Sequence, residues 1–127
     1  RARSRGAALS DLDGDGRLDL VVVNRRAPME LYRNVTPGTG NWLAVDLRGI
    51  GNRFGIGAQV TVTAAGRTQV QQRVIGGGHG GGSIGPLHFG LGPAKTARVT
   101  VQGPQGIVVA TQEVAANQVI RLQPQAR

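Results

Sequence analysis

Four aspartates crowd one nine-residue segment, and carboxylates at this density are typical of sites that bind hard cations. The segment runs from Asp11 to Asp19 and carries Gly14 and Gly16 between its acids, where glycine permits tight bends. Calcium takes six to eight oxygen ligands at about 2.3 to 2.6 Å, whereas magnesium prefers an octahedral shell that keeps its waters. The segment therefore predicts a Ca²⁺ site. Its predicted ligands are the side chains of Asp11, Asp13, Asp15 and Asp19 and the backbone carbonyl of Arg17.

Two other interpretations of this acidic segment are weaker. Twelve positions counted from Asp11 reach Val22, where an EF-hand needs a glutamate, and a β-branched strand follows in place of a helix. A solvated acidic turn without an ion is the remaining alternative. Four aspartates this close would repel one another strongly in an empty turn, so the sequence favours a bound calcium ion.

Residues that could support catalysis are few. Outside the acidic segment the only carboxylates are Glu30, Asp46 and Glu113, at apparent outward strand positions or strand ends. No serine lies in a nucleophile elbow. The glycine-rich tract Gly76 to Gly82 lacks the Lys-Ser/Thr ending of phosphate-binding loops, and its His79 has no second histidine or cysteine nearby. We therefore expect a protein that is not an enzyme and has no nucleotide or transition-metal site.

The charge balance is basic. Fifteen Lys and Arg against seven Asp and Glu give +8, although four of the seven acids lie in the acidic segment. Such a surface attracts polyanions, among them acidic glycans. The arginines are scattered and aromatic residues supply only 3% of the chain, so the sequence disfavours nucleic acid as a partner. There are no cysteines, and no apolar run approaches the roughly 18 residues that span a bilayer. The absence of an initiating methionine suggests a processed product or a fragment.

The distribution of apolar residues predicts an all-β protein. Short β-branched runs separated by Gly, Pro and Asn indicate ten strands, of which the first is predicted from Ala7 to Ser10. Apolar and polar residues alternate in segments such as Val60 to Thr63 and Val99 to Gln102, which predicts half-buried strands. The run Leu20 to Val23 is apolar throughout, which predicts a strand covered on both faces. The linker Thr36 to Gly40 divides the chain into an acidic hairpin region, 1–36, and a longer β domain, 41–125.

Two family resemblances cover nearly the whole chain. Gly6 to Asn24 resembles an FG-GAP/VCBS repeat, the calcium-binding unit of integrin-type β-propellers. Several later segments resemble the ASPIC/UnbV domain, which follows such repeats in secreted proteins. These segments are Leu31 to Asn34, Asn41 to Leu43, Gly55 to Ala58, Leu87 to Gly92 and Val114 to Val119. Gly76 to Ser83 departs from the aromatic segment typical of that domain, and Gln102 to Gly106 replaces its usual Trp-Pro-Ser-Gly turn.

Together the residues and the resemblances predict an antiparallel β-sandwich preceded by a calcium-binding β-hairpin from an incomplete propeller-type repeat. The resemblances imply a secreted protein, extracellular or at the cell surface, with no transferable activity. Because an open strand edge is a template for pairing between chains, we expect a structural or adhesion module that forms a homo-oligomer or filament by β-strand complementation. An extracellular module that binds glycans or other polyanions is the alternative.

Overall fold

All of the regular secondary structure in the described residues is β. A computed structural model describes residues 3–77 and 85–123, and no helix in those ranges is long and apolar enough to cross a membrane. Ten strands are formed. They are β1 (Arg3–Ser10), β2 (Asp19–Arg25), β3 (Glu30–Tyr32), β4 (Asn41–Leu47), β5 (Gln59–Ala64), β6 (Arg67–Gln72), β7 (Leu87–Gly92), β8 (Thr96–Gln102), β9 (Val108–Ala115) and β10 (Gln118–Leu122).

The predicted strands are confirmed, with differences at their ends. The largest is in β1, which begins at Arg3 although its first residues show no apolar alternation. Pairing with β2 extends it, because Arg3 and Ser4 lie opposite Arg25 and Asn24, and an irregularity before Gly6 restores the register. A strand end that depends on a partner strand in this way leaves little local signal in the sequence.

The chain divides into two compact units, the first made of Arg1–Thr39 and Ile75–Ser83 and the second of Gly40–Val74 and Ile84–Arg127. The first unit contains one antiparallel sheet in the order β1-β2-β3. Within the described residues its central strand is not covered on both faces: Leu20 to Val22 are half-buried, and Val23 is 52% exposed. The described residues of this unit form one sheet, and none of them builds a second layer over the valines. The predicted cover of this strand therefore stays a prediction.

The second unit contains two sheets, in the orders β10-β4-β7 and β6-β5-β8-β9. All pairings are antiparallel except β4 with β10, which run parallel, so the expectation of a purely antiparallel fold is corrected. The reason lies in the connection before β10. Since β9 and β10 belong to different sheets, the chain crosses between sheets at Ala116 and Asn117 and is not held to the direction of a hairpin.

Apolar side chains from both sheets form one buried cluster in a sandwich-like arrangement. The alternating residues predicted for β5 and β8 contribute, since Val60 and Val99 are both fully buried. Phe89 is the one aromatic residue of the cluster, and aliphatic side chains fill the rest. The cluster contains Leu43, Val45, Leu47, Ile50, Ala58, Val60, Val62, Ala64, Phe89, Leu91, Ala97, Val99, Val101, Ile120 and Leu122.

Side chains from β6 join the edges of the two sheets. Gln69 Nε2 donates to the carbonyl of Gly90, and Gln71 Nε2 donates to the carbonyl of His88, each at 2.6 Å. One residue beyond β6, Arg73 donates through Nη1 to the carbonyl of Gly85. The two glutamines occupy carbonyls along β7 that a further strand would need, so this edge is protected from pairing with another chain.

Asn117 fixes the crossing between the sheets. Its φ is +61°, in the left-handed region that asparagine tolerates better than most residues. Its backbone N–H donates to the carbonyl of Trp42 at 2.7 Å, and its Oδ1 accepts from the N–H of Trp42 at 3.1 Å. Its Nδ2 also donates to Oδ1 of Asn41 at 2.9 Å. One residue therefore positions the start of β4 and the entry to β10.

We expect Asn117→Ala to lower the free energy of unfolding of the second unit by about 2 to 3 kcal/mol, from two lost side-chain hydrogen bonds and strain at positive φ. Asn117→Gly should cost less, because glycine removes the bonds without the strain. Urea unfolding followed by the fluorescence of Trp42, the only tryptophan, measures both. Equal losses for the two variants would contradict the strain argument.

Candidate metal centre

The acidic loop between β1 and β2 brings three of the predicted ligands together. Asp11, Asp13 and Asp15 each offer a carboxylate oxygen, and these three atoms lie within 4.8 Å of one another. Two oxygens on opposite sides of one calcium ion are about 4.6 to 5.2 Å apart, since each Ca–O distance is about 2.3 to 2.6 Å. The donor set consists of carboxylate oxygens, which a hard cation prefers. The residues present therefore fit one calcium ion.

Asp11 organises the backbone of the loop. Its Oδ1 accepts from the N–H groups of Gly14, at 2.8 Å, and Asp15, at 3.1 Å, and its Oδ2 accepts from Gly16 at 2.9 Å. Gly14 and Gly16 have φ values of +76° and +86°, which an L-residue adopts only with strain. Asp13 adds a local turn, because its Oδ1 accepts from the N–H of Asp15 at 3.3 Å. The alternation of Asp and Gly therefore bends the loop around one carboxylate.

Asp19 closes the loop from the first residue of β2. It is only 3% exposed, and both of its oxygens accept backbone hydrogen bonds. Oδ2 accepts from Leu12 at 3.1 Å and Oδ1 accepts from Asn34 at 2.8 Å. Asp19 thus ties the loop to the segment after β3. Each carboxylate oxygen has two lone pairs, so these bonds leave acceptor capacity on Asp19.

Two arginines neutralise part of the loop. Arg33 Nε lies 2.7 Å from Oδ2 of Asp13, and its Nη2 lies 3.5 Å from Oδ2 of Asp15. The guanidinium of Arg17 pairs with the carboxylate of Asp15 as well. The hydrogen bond from the backbone N–H of Arg17 lowers the pKa of Asp15, and the charges of Arg17 and Arg33 lower it further, against desolvation, which raises it. The carboxylate of Asp15 is therefore held in its charged form.

Arg33 and Asn34 are site residues that the sequence argument missed. Asn34 contacts the loop through its N–H on Asp19, through its carbonyl, which accepts from Arg17 Nε at 2.8 Å, and through Nδ2, which donates to the carbonyl of Leu18 at 3.3 Å. Both residues belong to the segment Leu31 to Asn34, noted only for its family resemblance. Nothing else in the sequence indicates their role, because Arg33 and Asn34 reach the loop only through the pairing of β3 with β2.

The carboxylates outside the loop are each engaged in local contacts. Glu30 accepts from the hydroxyl of Tyr32 at 2.6 Å, which raises the pKa of that hydroxyl, and Glu113 pairs with Arg98 at 2.7 Å. Asp46, expected at an outward strand position, is only 6% exposed, because guanidinium groups cover it.

The two histidines differ in what the structure describes. His88 lies in β7, and its ring stacks on Trp42 with centroids 5.7 Å apart. His79 and most of the glycine-rich tract lie outside the described residues.

Comparison with known proteins identifies relatives of this chain. Cartilage acidic protein 1 from Mus musculus and from Homo sapiens is 33% identical over 112 residues, an alignment that covers 84% of this chain and 17% of each relative. Cartilage acidic protein 1 from Xenopus tropicalis is 32% identical over 122 residues, covering 92% of this chain and 18% of the relative. The chain thus spans less than a fifth of the length of these relatives.

A protein-family model assigns most of the chain to one family. The model described as ASPIC and UnbV matches residues 49–127, which is more than half of the chain and includes most of the second unit. The alignments with the relatives cover more residues than this match, so the similarity extends into the first 48 residues. The resemblance of the acidic hairpin to an FG-GAP/VCBS repeat stays a prediction. On the family match, the chain belongs to the ASPIC and UnbV family.

Proposed function

We propose that this chain is a calcium-binding, extracellular structural or adhesion module and that it is not an enzyme. The observation that carries the proposal is the convergence of carboxylate oxygens from Asp11, Asp13 and Asp15 within 4.8 Å. The similarity to proteins named cartilage acidic protein 1 supports the extracellular location. The family is not one of enzymes, and the acids outside the loop are each held in local pairs.

A calcium ion would stabilise the first unit by joining its strands. The loop connects β1 to β2, and Asp19 binds the segment after β3, so an ion on these carboxylates would fix all three strands of the sheet. Asp19 does not belong to the converging group, and it and the carbonyl of Arg17 stay predicted ligands for such an ion. Neutralising the carboxylates would also remove their mutual repulsion.

Calcium should therefore raise the stability of the first unit. When free calcium is a hundred times its dissociation constant, mass action stabilises the folded state by about 2.7 kcal/mol. Asp13→Asn should weaken calcium binding by roughly tenfold or more, since it removes one anionic ligand while leaving the acceptor for Asp15. Calorimetric titration and melting with calcium or with a chelator measure these effects.

Glu113→Gln is the matched control for that experiment. It removes the same charge from β9, far along the chain from the loop, and should leave calcium affinity unchanged. An unchanged melting curve of the wild-type protein in calcium and in chelator would refute the calcium proposal. So would equal effects of the two variants.

Arg33 should compete with the ion. Its guanidinium contacts two of the three converging carboxylates and is 63% exposed, so its removal costs little packing. We expect Arg33→Gln to tighten calcium binding by several-fold, with the largest gain at low ionic strength, where charges are least screened. Arg25→Gln, an exposed arginine of β2, is the control that changes the same net charge. Weaker calcium binding by Arg33→Gln would show that Arg33 supports the site.

The proposed assembly would use the free edge of β1. Among the described strands β1 pairs only with β2, and every residue of β1 except Gly6 is exposed. The carbonyls along β7 are occupied by Gln69 and Gln71, which disfavours strand addition there. Pairing of β1 with another copy of this chain would produce the homo-oligomer or filament expected from the sequence.

A charge on the β1 edge should disrupt such an assembly. Ala8→Lys places an ammonium group in the middle of β1, and edge lysines oppose strand addition. Sedimentation velocity in calcium should show oligomers for the wild-type chain and for the control Thr111→Lys on edge strand β9, but monomers for Ala8→Lys. A monomeric wild-type chain at high concentration would refute assembly and leave the calcium proposal intact.

A further inference from the structure

The surface around Asp46 carries an excess of guanidinium groups. Arg48 Nε lies 3.1 Å and Arg121 Nε lies 3.2 Å from Oδ2 of Asp46, and Arg73 Nη2 lies 4.0 Å from Oδ1. One carboxylate thus faces three guanidinium groups. Because arginine stays protonated in proteins, the group as a whole keeps a charge of +2.

Arg73 adds unsatisfied donors beneath this surface. Its side chain is 2% exposed, and its Nε and Nη2 have no hydrogen-bond partner among the described residues. Burial lowers the pKa of this guanidinium, Asp46 opposes that shift, and Arg48 adds to it. Leaving buried charged donors unpaired is costly. The arginines around Asp46 therefore have too little negative charge nearby, which favours binding of a further anion.

The positive surface continues past Arg48. The guanidinium carbon of Arg48 lies 5.9 Å from the ring centroid of Phe54, and that of Arg53 lies 5.4 Å from the same ring. Contact with the aromatic ring restrains both side chains while leaving donors for an external acceptor. Arg48 and Arg121 have side-chain exposures of 42% and 64%, and Arg53 is exposed. We call Arg48, Arg53 and Arg121 the arginine surface.

We propose that the arginine surface binds a sulfated polysaccharide. A guanidinium group donates two parallel hydrogen bonds to an oxyanion such as a sulfate ester, a geometry that lysine lacks. Of the fifteen basic residues in the chain, fourteen are arginine. Three neighbouring guanidinium groups match a ligand with repeated sulfate groups better than a single small anion.

The aromatic residues of the second unit argue against nucleic acid as the ligand. Binding of single strands depends on exposed aromatic faces on which bases stack. Phe89 is fully buried, Trp42 stacks on His88, and the ring of Phe54 lies beneath two arginines. A polysaccharide needs no such stacking platform, since charge and hydrogen bonds to sulfate suffice.

The proposal does not depend on calcium. The residues of the arginine surface all belong to the second unit, whereas the acidic loop belongs to the first. Loss of calcium binding would therefore leave polysaccharide binding in place, and the two proposals fail independently.

The test is titration of the whole chain with heparin at 0.1 M NaCl, together with fully desulfated heparin and an oligothymidylate of equal length. Arg53→Ala/Arg121→Ala should weaken heparin binding about tenfold and reduce the slope of log affinity against log salt by about 1.5, from two lost contacts. Arg67→Ala/Lys95→Ala removes the same charge from exposed positions of the same unit and should change affinity less than about twofold. Desulfated heparin should not bind.

Arg53→Ala alone keeps the ion pairs of Asp46, and Trp42 fluorescence during urea unfolding verifies that each variant folds. An intermediate loss of heparin affinity in this folded single variant is the expected result. Equal losses of heparin affinity in the two double variants would show that heparin binds through diffuse surface charge and not at the arginine surface. No heparin binding by the wild-type chain, or binding unaffected by desulfation, would overturn the proposal. If oligothymidylate bound as tightly as heparin and lost as much affinity in Arg53→Ala/Arg121→Ala, the surface would be assigned to nucleic acid.

Discussion

Repulsion among carboxylates held close together is the constraint on which the first unit depends. Asp11, Asp13 and Asp15 are brought within 4.8 Å by hydrogen bonds from the backbone of their own loop, and Asp19 closes the loop from β2. Such crowding needs positive charge nearby. Arg17 and Arg33 supply two guanidinium groups, but a guanidinium reaches one or two carboxylates at a time, whereas one calcium ion contacts several oxygens at once.

The second unit shows the opposite imbalance. Its Asp46 lies among Arg48, Arg73 and Arg121, and two nitrogen atoms of Arg73 have no hydrogen-bond partner among the described residues. The net charge of +8 is therefore the sum of an acidic loop suited to a cation and a basic surface suited to an anion. Neither feature is needed to hold the apolar core, which both sheets of the second unit form from aliphatic residues and Phe89. Charged residues that do not contribute to the core are therefore the ones that indicate ligand-binding sites.

The sequence predicts those parts of the fold and of the candidate site that depend on patterns over a few neighbouring residues. Alternating apolar residues gave the strands of the core, and the spacing of Asp and Gly identified the loop, because both patterns act over a few residues. Relations between distant segments were missed. The parallel pairing of β4 with β10, the contacts of Arg33 and Asn34 with the loop, and the burial of Asp46 under arginines all depend on which strands become neighbours. The run Leu20 to Val23 shows the same difficulty, since an apolar sequence does not say which segment covers a strand.

An anomalous difference map from crystals grown in calcium tests the central claim most directly. The account predicts one peak among Asp11, Asp13 and Asp15, with oxygen ligands at about 2.3 to 2.6 Å and the Arg33 guanidinium displaced from Asp13. A map with no peak at this loop, and with Arg17 and Arg33 still paired to the carboxylates, would contradict it.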